Sequence, residues 1–320
     1  MKILYYSDIH FREKGSFIPW NRQENRFTNE LNRILNSMYW LSEIVEVEKP
    51  DLLLCLGDIF NNLVIQSSPT LDASGLAFSQ LKETCKRLGI EHWLIPGNHD
   101  YYGRYNNAIY SIRVLEGFFD RIFYEPVYED NILYLPYFTD EAKAYEEILL
   151  REPKKVITHL TFNGADVGKV KVQGLKPPRD MKVISGHIHI PQKFGNVLYI
   201  GSLVQLSWIE GTKHGVYIEE NGKFKFIQNP VGKQIVKIKR LDEIDKYDIK
   251  NTGFILETFQ PPEKLPVGVD IQVKLVKEEQ KEERIEYEFE SFQSPLELLK
   301  QEVKEVFPDK VKKLETLLKE

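Results

Sequence analysis

The hydrophobic positions in the first half of the chain form short apolar runs separated by longer stretches with helical spacing. The run 2–6 predicts a buried strand, and apolar residues every three or four positions over 29–48 predict an amphipathic helix that ends at Lys49-Pro50. A second strand at 51–56 precedes a helix over about 72–88 and a third strand at 92–95. This order of strand, helix and strand predicts parallel βαβ units in a layered α/β core.

The apolar runs of the second half are shorter and lie closer together. A helix is predicted over about 140–151, and strands near 132–136, 155–158, 182–185, 197–200, 215–219 and 223–227. Because closely spaced strands can be joined by tight turns, we expect part of the sheet to be antiparallel. The pattern predicts a first domain over 1–232, a small α+β capping domain over 233–292 with a charged hairpin at 269–276 and 285–289, and C-terminal helices over 293–320.

Composition places the chain among ordinary folded proteins. It has 320 residues, of which 42% are hydrophobic and 28% charged, which suits one large domain with a smaller one. The apolar residues at the start are too few for a signal peptide or a membrane span. Cys55 and Cys85 are too few for a disulfide framework. We therefore expect a cytoplasmic protein with reduced thiols and no membrane partner.

The charge is distributed unevenly. The formal net charge of −5 gives no overall sign of a nucleic-acid partner. Residues 151–182, however, carry eight basic and three acidic side chains, so that 8 − 3 = +5. A run of charge is usually a solvated surface, but this one is also compatible with a local site for a polyanion. Our hypothesis is that this segment flanks the path of a nucleic acid.

Five of the seven histidines lie in short motifs that follow predicted strands. The motifs are Asp8-Ile9-His10, Gly57-Asp58, Gly97-Asn98-His99-Asp100, His159 and Gly186-His187-Ile188-His189. Each motif alone could be a turn or a core histidine. Because ligand sites in open α/β sheets lie beyond the carboxyl ends of the strands, five such motifs in order favour one shared site. The remaining two, His92 and His214, are interpreted as structural or surface residues.

The residue types in these motifs suit divalent cations. Carboxylate, imidazole and amide-oxygen ligands favour manganese, iron or zinc, and the absence of cysteine from the motifs argues against a structural thiolate site. Asp8 and His10 are two positions apart, so both can project to the same side of an extended segment. Two cations about 3.5–4 Å apart need a bridging carboxylate, and Asp58 is the candidate.

The order of these motifs resembles the calcineurin-like metallophosphoesterases over about residues 1–230. The resemblance implies a four-layer α/β/β/α sandwich of two mixed sheets that hydrolyses phosphoesters with two divalent ions, here expected to be manganese, with magnesium, iron or zinc as alternatives. It implies that one ion is held by Asp8, His10, Asp58 and His189, and the other by Asp58, Asn98, His159 and His187. His99 resembles the catalytic histidine of the family, and Asp100 would orient its ring.

The run Gly57-Asp58-Ile59-Phe60 lacks the arginine that follows Gly-Asp in the protein phosphatases of this family and is similar to SbcD-type repair nucleases. The Gly201-Ser202 turn and the layout of a capping domain with terminal helices are also similar to that group. The resemblance implies a DNA exonuclease or endonuclease of DNA repair and recombination, with an SbcC-type coiled-coil ATPase as partner and a homodimer as a further possibility. Many such nucleases have a histidine where this chain has Asn61, which cannot transfer a proton near neutral pH. The balance between exonuclease and endonuclease activity therefore stays open.

Basic and aromatic residues beside the motifs are candidates for contacts to DNA phosphates and bases. These candidates are Arg12, Arg22, Arg26, Tyr101, Tyr102 and Arg104. Two other functions stay open: hydrolysis of small phosphoesters such as nucleotides, and a non-catalytic scaffold. The scaffold is disfavoured because every ligand position of the motifs is filled. The terminal helices could pack on their own domain or dock on the coiled coil of the ATPase.

Overall fold

The computed structural model describes most of the first 275 residues. The described ranges are 1–13, 27–102, 109–137, 140–167, 170–178, 181–207, 210–211, 213–231, 234–247, 249, 252–262, 264–266 and 269–275. The chain divides into two compact units, Met1–Val276 and Lys277–Glu320, and all described residues belong to the first. The predicted strand at 285–289 and the predicted helices over 293–320 lie outside the described residues.

Three α-helices occur in the described part of the chain: α1 (Asn29–Glu48), α2 (Ser68–Leu88) and α3 (Glu141–Arg151). Helix α1 begins after Thr28, whose hydroxyl accepts a hydrogen bond from the backbone of Leu31. Helix α2 begins earlier than its apolar spacing predicts, because Ser67 caps it in the same way. It ends at Gly89, which adopts the left-handed conformation typical of a helix C-terminus. All three predicted helices are confirmed.

The strands include every strand that the apolar runs predict within the described residues. They are β1 (Lys2–Tyr6), β2 (Leu52–Cys55), β3 (Glu91–Leu94), β4 (Tyr101–Tyr102), β5 (Ile109–Tyr110), β6 (Arg121–Ile122), β7 (Val127–Glu129), β8 (Ile132–Leu135), β9 (Lys155–Thr158), β10 (Asp166–Val167), β11 (Val170–Lys171), β12 (Lys182–Ser185), β13 (Gln192–Phe194), β14 (Val197–Tyr199), β15 (Gly215–Glu220), β16 (Lys223–Gln228), β17 (Gln234–Ile238), β18 (Thr252–Thr258) and β19 (Asp270–Leu275). Short 3₁₀ helices, among them Ser111–Phe118 and Leu241–Lys246, lie between the described strands.

Two six-stranded sheets form the main body of the described chain. The first has the order β16-β15-β1-β2-β3-β6, with β1, β2, β3 and β6 parallel and β15 and β16 antiparallel. The second has the order β13-β14-β12-β9-β8-β7, with parallel central strands and an antiparallel strand at each edge. The expectation of mixed sheets is confirmed.

The core has three layers of packing, which follow from the alternation of side chains along each strand. Between the two sheets lie Tyr5 and Leu54 from the first and Ile157 and Ile184 from the second. The outer face of the first sheet packs on α1 and α2, and the outer face of the second packs on α3. The structure is therefore the α/β/β/α sandwich that the resemblance implies.

A third sheet, β17-β18-β19, is parallel throughout and has its own small core, which includes Ile238, Phe254 and Ile271. Strand β19 confirms the predicted strand near 269–276. The division at 232 and 292 stays a prediction. Among the described residues, no helix is both long and apolar enough to cross a membrane. Cys55 and Cys85 are buried free thiols.

Candidate metal centre

The five sequence motifs meet at one edge of the sandwich, directly after the carboxyl ends of β1, β2, β3, β9 and β12. Among the described residues their side chains form three overlapping groups whose ligand atoms lie within 4.8 Å of one another. The groups are Asp8, His10 and His189; Asp58, His159 and His187; and His10, Asp58 and His99. The parallel strands of both sheets deliver these side chains to the same place, as the sequence predicts.

The backbone at this edge adopts an unusual conformation. Asp8, His10, Asp58 and His187 have φ angles of 52°, 49°, 56° and 75°, in the left-handed region that side chains with a Cβ atom rarely occupy. Such residues persist where the surrounding structure fixes them, and they cluster at functional sites. The sharp turns after the strands thus direct the side chains of four predicted ligands toward one another.

Two glycines let the loops approach closely enough for these contacts. A Cβ atom at Gly97 would lie 2.2 Å from Oδ1 of Asp58 and 2.7 Å from Cε1 of His159. A Cβ atom at Gly186 would lie 2.3 Å from Oγ of Ser7. These positions therefore require glycine for lack of space.

The first group has the features of an ion site. Nε2 of His189 lies 3.7 Å and Nε2 of His10 lies 3.9 Å from Oδ1 of Asp8. His10 is 3% exposed, and both of its ring nitrogens are buried without a hydrogen-bond partner among the described residues. A buried polar group without a partner is costly unless a ligand satisfies it. The residues present therefore fit a bound cation.

Asp58 of the second group also lies close to His10 of the first. Oδ2 of Asp58 lies 3.2 Å from Nε2 of His159 and 3.5 Å from Nε2 of His10, so this carboxylate stands between the two groups. The side-chain oxygen of Asn98 lies 3.2 Å from Nε2 of His159 and 2.7 Å from Nδ1 of His187. Clustered carboxylate, imidazole and amide groups of this kind are suited to a dinuclear centre.

The centre also concentrates charge in a buried place. Burial raises the pKa of Asp8. Burial would raise the pKa of Asp58 too, but the nearby imidazole of His159 outweighs it, so that the pKa of Asp58 lies well below its usual value. Burial alone would lower the pKa of His159, but the carboxylates of Asp58 and Asp8 raise it to about 9. Two closely placed carboxylates thus attract positive charge at neutral pH, from protons or from metal ions.

His99 is partly buried and lies beside His10 and Asp58. Its backbone N–H donates to Oδ1 of Asp58 over 2.8 Å, and its Nδ1 lies 2.6 Å from the carbonyl oxygen of Asn61. Because a carbonyl only accepts, Nδ1 carries the hydrogen and Nε2 is left for a substrate. The ring centres of His99 and His10 are 4.7 Å apart.

The prediction that Asp100 orients the ring of His99 is wrong. The carboxylate of Asp100 is fully buried and accepts hydrogen bonds from three backbone N–H groups, those of Asp58 (2.7 Å), Gly97 (2.8 Å) and Ile59 (2.9 Å). It therefore ties together the two loops that follow β2 and β3. Burial and the charge of Asp58 raise the pKa of Asp100 to about 7. The carbonyl of Asn61, and not a carboxylate, fixes the imidazole of His99.

The calcineurin-like phosphoesterase family model matches residues 1–191, a segment that holds all five motifs. The chain belongs to this family. Its fold is similar to that of a phosphoesterase from E. coli, Yfce (13% identity, 72% of this chain and 94% of that one, TM-score 0.39), and of a dimetal phosphatase from Danio rerio (11% identity, 68% and 91%, TM-score 0.34). It is also similar to that of the nuclease MPE from Pseudomonas putida (13% identity, 70% and 87%, TM-score 0.33). A search of curated proteins found no significant match.

In this calcineurin-like phosphoesterase, the residues predicted to contact DNA lie in different surroundings. Nη2 of Arg12 donates to Glu30 and to the carbonyl of Leu206, and its Nη1 donates to Asn61, so this guanidinium is occupied within the protein. Tyr101 is buried, whereas Tyr102 is 56% exposed. Arg12 and Tyr101 thus make contacts within the protein, and their contact to DNA stays a prediction. Arg22, Arg26 and Arg104 lie outside the described residues.

The basic segment 151–182 does not surround the centre as a whole. Lys155 begins β9 and Lys182 begins β12, so both lie at the amino ends of strands whose carboxyl ends carry the metal-centre motifs. Nζ of Lys155 binds both carboxylate oxygens of Glu219 at 2.7 Å. The hypothesis that the full segment flanks a DNA path is therefore wrong for these lysines.

Glu210, Ser202 and Leu203 contact the segments that carry the predicted ligands, and the sequence did not predict these contacts. Glu210 lies 2.9 Å from Nδ1 of His189. The Gly-Ser turn packs against the same histidine, since the backbone N–H of Ser202 donates to the carbonyl of His189 at 3.0 Å and its hydroxyl lies 2.8 Å from His214. Leu203 donates to the carbonyl of Ser7. Only the resemblance of the Gly-Ser turn signalled this loop. His92 and His214 are buried structural residues, as predicted.

Proposed function

We propose that the chain is a metal-dependent DNA nuclease that hydrolyses phosphodiester bonds. The observation that carries the proposal is the position of Asp58, which lies between the two groups of imidazoles with His99 beside it. Membership of a phosphoesterase family gives this constellation its reaction class. The proposal that DNA is the substrate goes beyond this reaction class.

Two divalent cations, which we propose to be manganese, would be held by the residues of the two groups. These residues are Asp8, His10, Asp58 and His189 for one ion, and Asp58, Asn98, His159 and His187 for the other. Such ions supply Lewis acidity, which activates water near neutral pH and neutralises charge on the phosphoryl oxygens. His99, whose Nδ1 contacts the carbonyl of Asn61, can bind the scissile phosphate or give a proton to the leaving oxygen through Nε2 when its ring is protonated.

Support for DNA as substrate comes from two features of this centre. The run Gly57–Phe60 and the Gly201-Ser202 turn resemble those of SbcD-type nucleases, and the second of these motifs contacts His189. The exposed ring of Tyr102 follows the loop of His99 directly and can stack on an unpaired base.

A second candidate function is hydrolysis of small phosphodiesters such as nucleotides. It is favoured by the internal contacts of Arg12 and by the position of Lys155 and Lys182 at the opposite edge, because both observations remove basic groups from the expected DNA path. A small substrate needs fewer phosphate contacts than a polynucleotide.

The two candidates are separated by comparing substrates with the full chain and manganese. End-labelled single- and double-stranded DNA, bis-p-nitrophenyl phosphate and mononucleotides are incubated with wild-type protein and with His99→Ala. A nuclease cleaves DNA at a rate that falls as salt rises, and the variant loses this activity. Cleavage of the small diesters without cleavage of either DNA would refute the nuclease proposal.

For the partner, we propose an SbcC-type coiled-coil ATPase bound through residues 293–320, in a complex for DNA repair and recombination in the cytoplasm. The full chain and a chain that ends at residue 292 are compared for binding to such an ATPase from the same source. Binding by the full chain alone supports the proposal, and equal binding by both refutes it. Sedimentation of the full chain tests for a homodimer.

A further inference from the structure

Glu210 is a buried carboxylate that the reaction described above does not use. It is 9% exposed, and it lies in the loop that joins the Gly201-Ser202 turn to β15. Its Oε1 is 2.9 Å from Nδ1 of His189, and its Oε2 accepts a hydrogen bond of 2.7 Å from the backbone N–H of Leu206. A carboxylate removed from water is costly unless both oxygens are engaged, and here both are.

The contact with Glu210 determines which nitrogen of His189 faces the metal centre. An ionised carboxylate only accepts hydrogen bonds, so Nδ1 of His189 must carry the hydrogen. The lone pair of the neutral ring is then on Nε2, and this is the atom that lies 3.7 Å from Oδ1 of Asp8. A carboxylate acceptor on the far nitrogen also makes an imidazole a stronger ligand.

The other imidazoles of the centre obtain their orientation from different groups. Nδ1 of His159 contacts the carbonyl oxygen of Leu56, and Nδ1 of His99 contacts that of Asn61. His10 has no hydrogen-bond partner on either nitrogen among the described residues. Among the described residues, only His189 has a charged hydrogen-bond acceptor that lies outside the two groups of ligands.

The loop that carries Glu210 is itself held on the ligand-bearing strands. Leu203 donates to the carbonyl of Ser7, one residue before Asp8, and Ser202 donates to the carbonyl of His189. From the other side, Arg33 donates to the carbonyl of Gln205 and Arg12 to that of Leu206. The loop therefore has a fixed position relative to the first group of ligands, which a positioning residue requires.

We propose that Glu210 is a positioning residue that fixes the Nδ1–H tautomer and the orientation of His189, and thereby sets the affinity of the first of the two ion sites. This inference rests on the metal centre of the proposed function but not on DNA as the substrate. It predicts unequal effects on the two sites, because Glu210 contacts a ligand of one group and none of the other.

The test is calorimetric titration of the metal-stripped full chain with manganese chloride. In Glu210→Ala, one of two binding events should weaken by about 10- to 100-fold while the other is unchanged. Glu210→Gln keeps one acceptor oxygen and should lie between Glu210→Ala and wild type. The matched control is Glu219→Gln, at a buried carboxylate that binds Tyr5 and Lys155 instead of a histidine of the centre; it should titrate like wild type even if it melts earlier.

Two further measurements separate positioning from general stability. In a His189→Ala background, adding Glu210→Ala should cause no additional loss of manganese affinity, since the effect acts through the ring of His189. Nitrogen-15 spectra of the metal-free protein should show the Nδ1–H tautomer for His189 in the wild type and a mixture of tautomers in Glu210→Ala. Equal weakening of both sites, an additional loss in the His189→Ala background, or no second binding event in the wild type would overturn the inference. A protein with these properties that cuts no DNA would refute the nuclease proposal alone.

Discussion

At the scale of single residues, the metal centre depends on buried groups that have few alternatives. Asp58 serves both groups of imidazoles, and its own backbone N–H is held by Asp100. Gly97 leaves space for that carboxylate, and no side chain fits in its place. A change of charge can therefore be tested at Asp58, and a change of side-chain volume at Gly97.

Replacement of Asp58 by asparagine tests the shared carboxylate. The amide keeps nearly the same shape and can still accept the N–H of His99, but it loses the charge that attracts both cations. We expect at least one manganese site to be lost and the hydrolysis of bis-p-nitrophenyl phosphate to fall by about a thousandfold or more. Metal content by mass spectrometry and initial rates measure the two effects. Wild-type metal content in the variant would contradict the bridging role.

A matched pair of glycine substitutions tests the space at the centre. In Gly97→Ala the new Cβ would lie 2.2 Å from Asp58, so we expect loss of manganese binding and a lower melting temperature. Gly75→Ala makes the same change within α2, where nothing lies within 4 Å, and should stabilise the helix by about 0.5–1 kcal/mol. Melting curves and manganese titrations of both variants make the comparison. Normal metal binding by Gly97→Ala would show that the loop can move aside.

At the scale of elements, the parallel strands of two mixed sheets bring their carboxyl ends to one edge, and buried polar contacts hold the sheets together. Glu219 on β15 accepts hydrogen bonds from Tyr5 on β1 and from Lys155 on β9, so one carboxylate connects both sheets. On the outer face of the first sheet, Nε2 of His92 on β3 lies 2.6 Å from the hydroxyl of Tyr6, and the ring of His92 stacks against Phe78 of α2. Each contact has a measurable contribution to the free energy of unfolding.

Removal of the carboxylate between the sheets should be costly. In Glu219→Ala, the ammonium group of Lys155 and the hydroxyl of Tyr5 lose their partner in a largely buried place. We expect a loss of about 3 kcal/mol in the free energy of unfolding, measured by urea denaturation. Combining it with Lys155→Met should restore part of the loss, because the unpaired charge is then gone. An equally unstable double variant would show that the ion pair is not the cause.

His92 gives the stability a defined dependence on pH. Burial lowers the pKa of this histidine from 6.5 to about 3, so the unfolded chain binds its proton more readily than the folded one. Its contribution is therefore complete above about pH 6.5 and is lost as the pH falls, by up to about 1.4 kcal/mol per pH unit. The free energy of unfolding of the wild type should fall more steeply than that of His92→Gln between about pH 7.5 and about pH 5. Parallel curves would contradict this role.

At the scale of the whole molecule, folding assembles residues that are suited to bind metal ions, so metal binding would be coupled to folding. The folded chain gathers two buried carboxylates and five imidazoles at one edge, and two of these imidazoles, His10 and His159, are buried, whereas the unfolded chain does not hold them together. A ligand that binds only the folded state stabilises it by an amount that grows with its concentration.

Manganese should therefore raise the melting temperature of the metal-stripped chain. At a free concentration of about 100 times the dissociation constant, each site contributes about 2.7 kcal/mol to the free energy of unfolding. Addition of a chelator should reverse the shift. Differential scanning calorimetry at several manganese concentrations measures it, and Asp58→Asn is the control that should respond less. A melting temperature that does not depend on manganese would contradict the metal centre.

Much of the fold could be predicted from the sequence, because strands and helices follow from local apolar spacing. Helix α1 and strands β1 and β9 occupy the predicted ranges, and the motifs converge since each follows a parallel strand. Contacts between distant loops could not be predicted in this way. Asp100 accepts hydrogen bonds from backbone groups 41 and 42 residues earlier, and Glu210 contacts a histidine 21 residues away. No local pattern indicates that these groups pair. Arg12 looked like a DNA contact for the same reason, because its partners Glu30 and Leu206 are remote in sequence.

The left-handed backbone at Asp8, His10, Asp58 and His187 has a consequence for the way this protein can change under selection. Each position holds a side chain in a conformation that glycine would adopt with less strain, and strain of this kind costs about 1–3 kcal/mol per residue. Replacing one of these residues by glycine would relieve that strain at the expense of a predicted ligand. A library of variants screened only for heat resistance, in the presence of a chelator, should therefore enrich glycine at these positions. The same library screened for hydrolysis should retain all four residues.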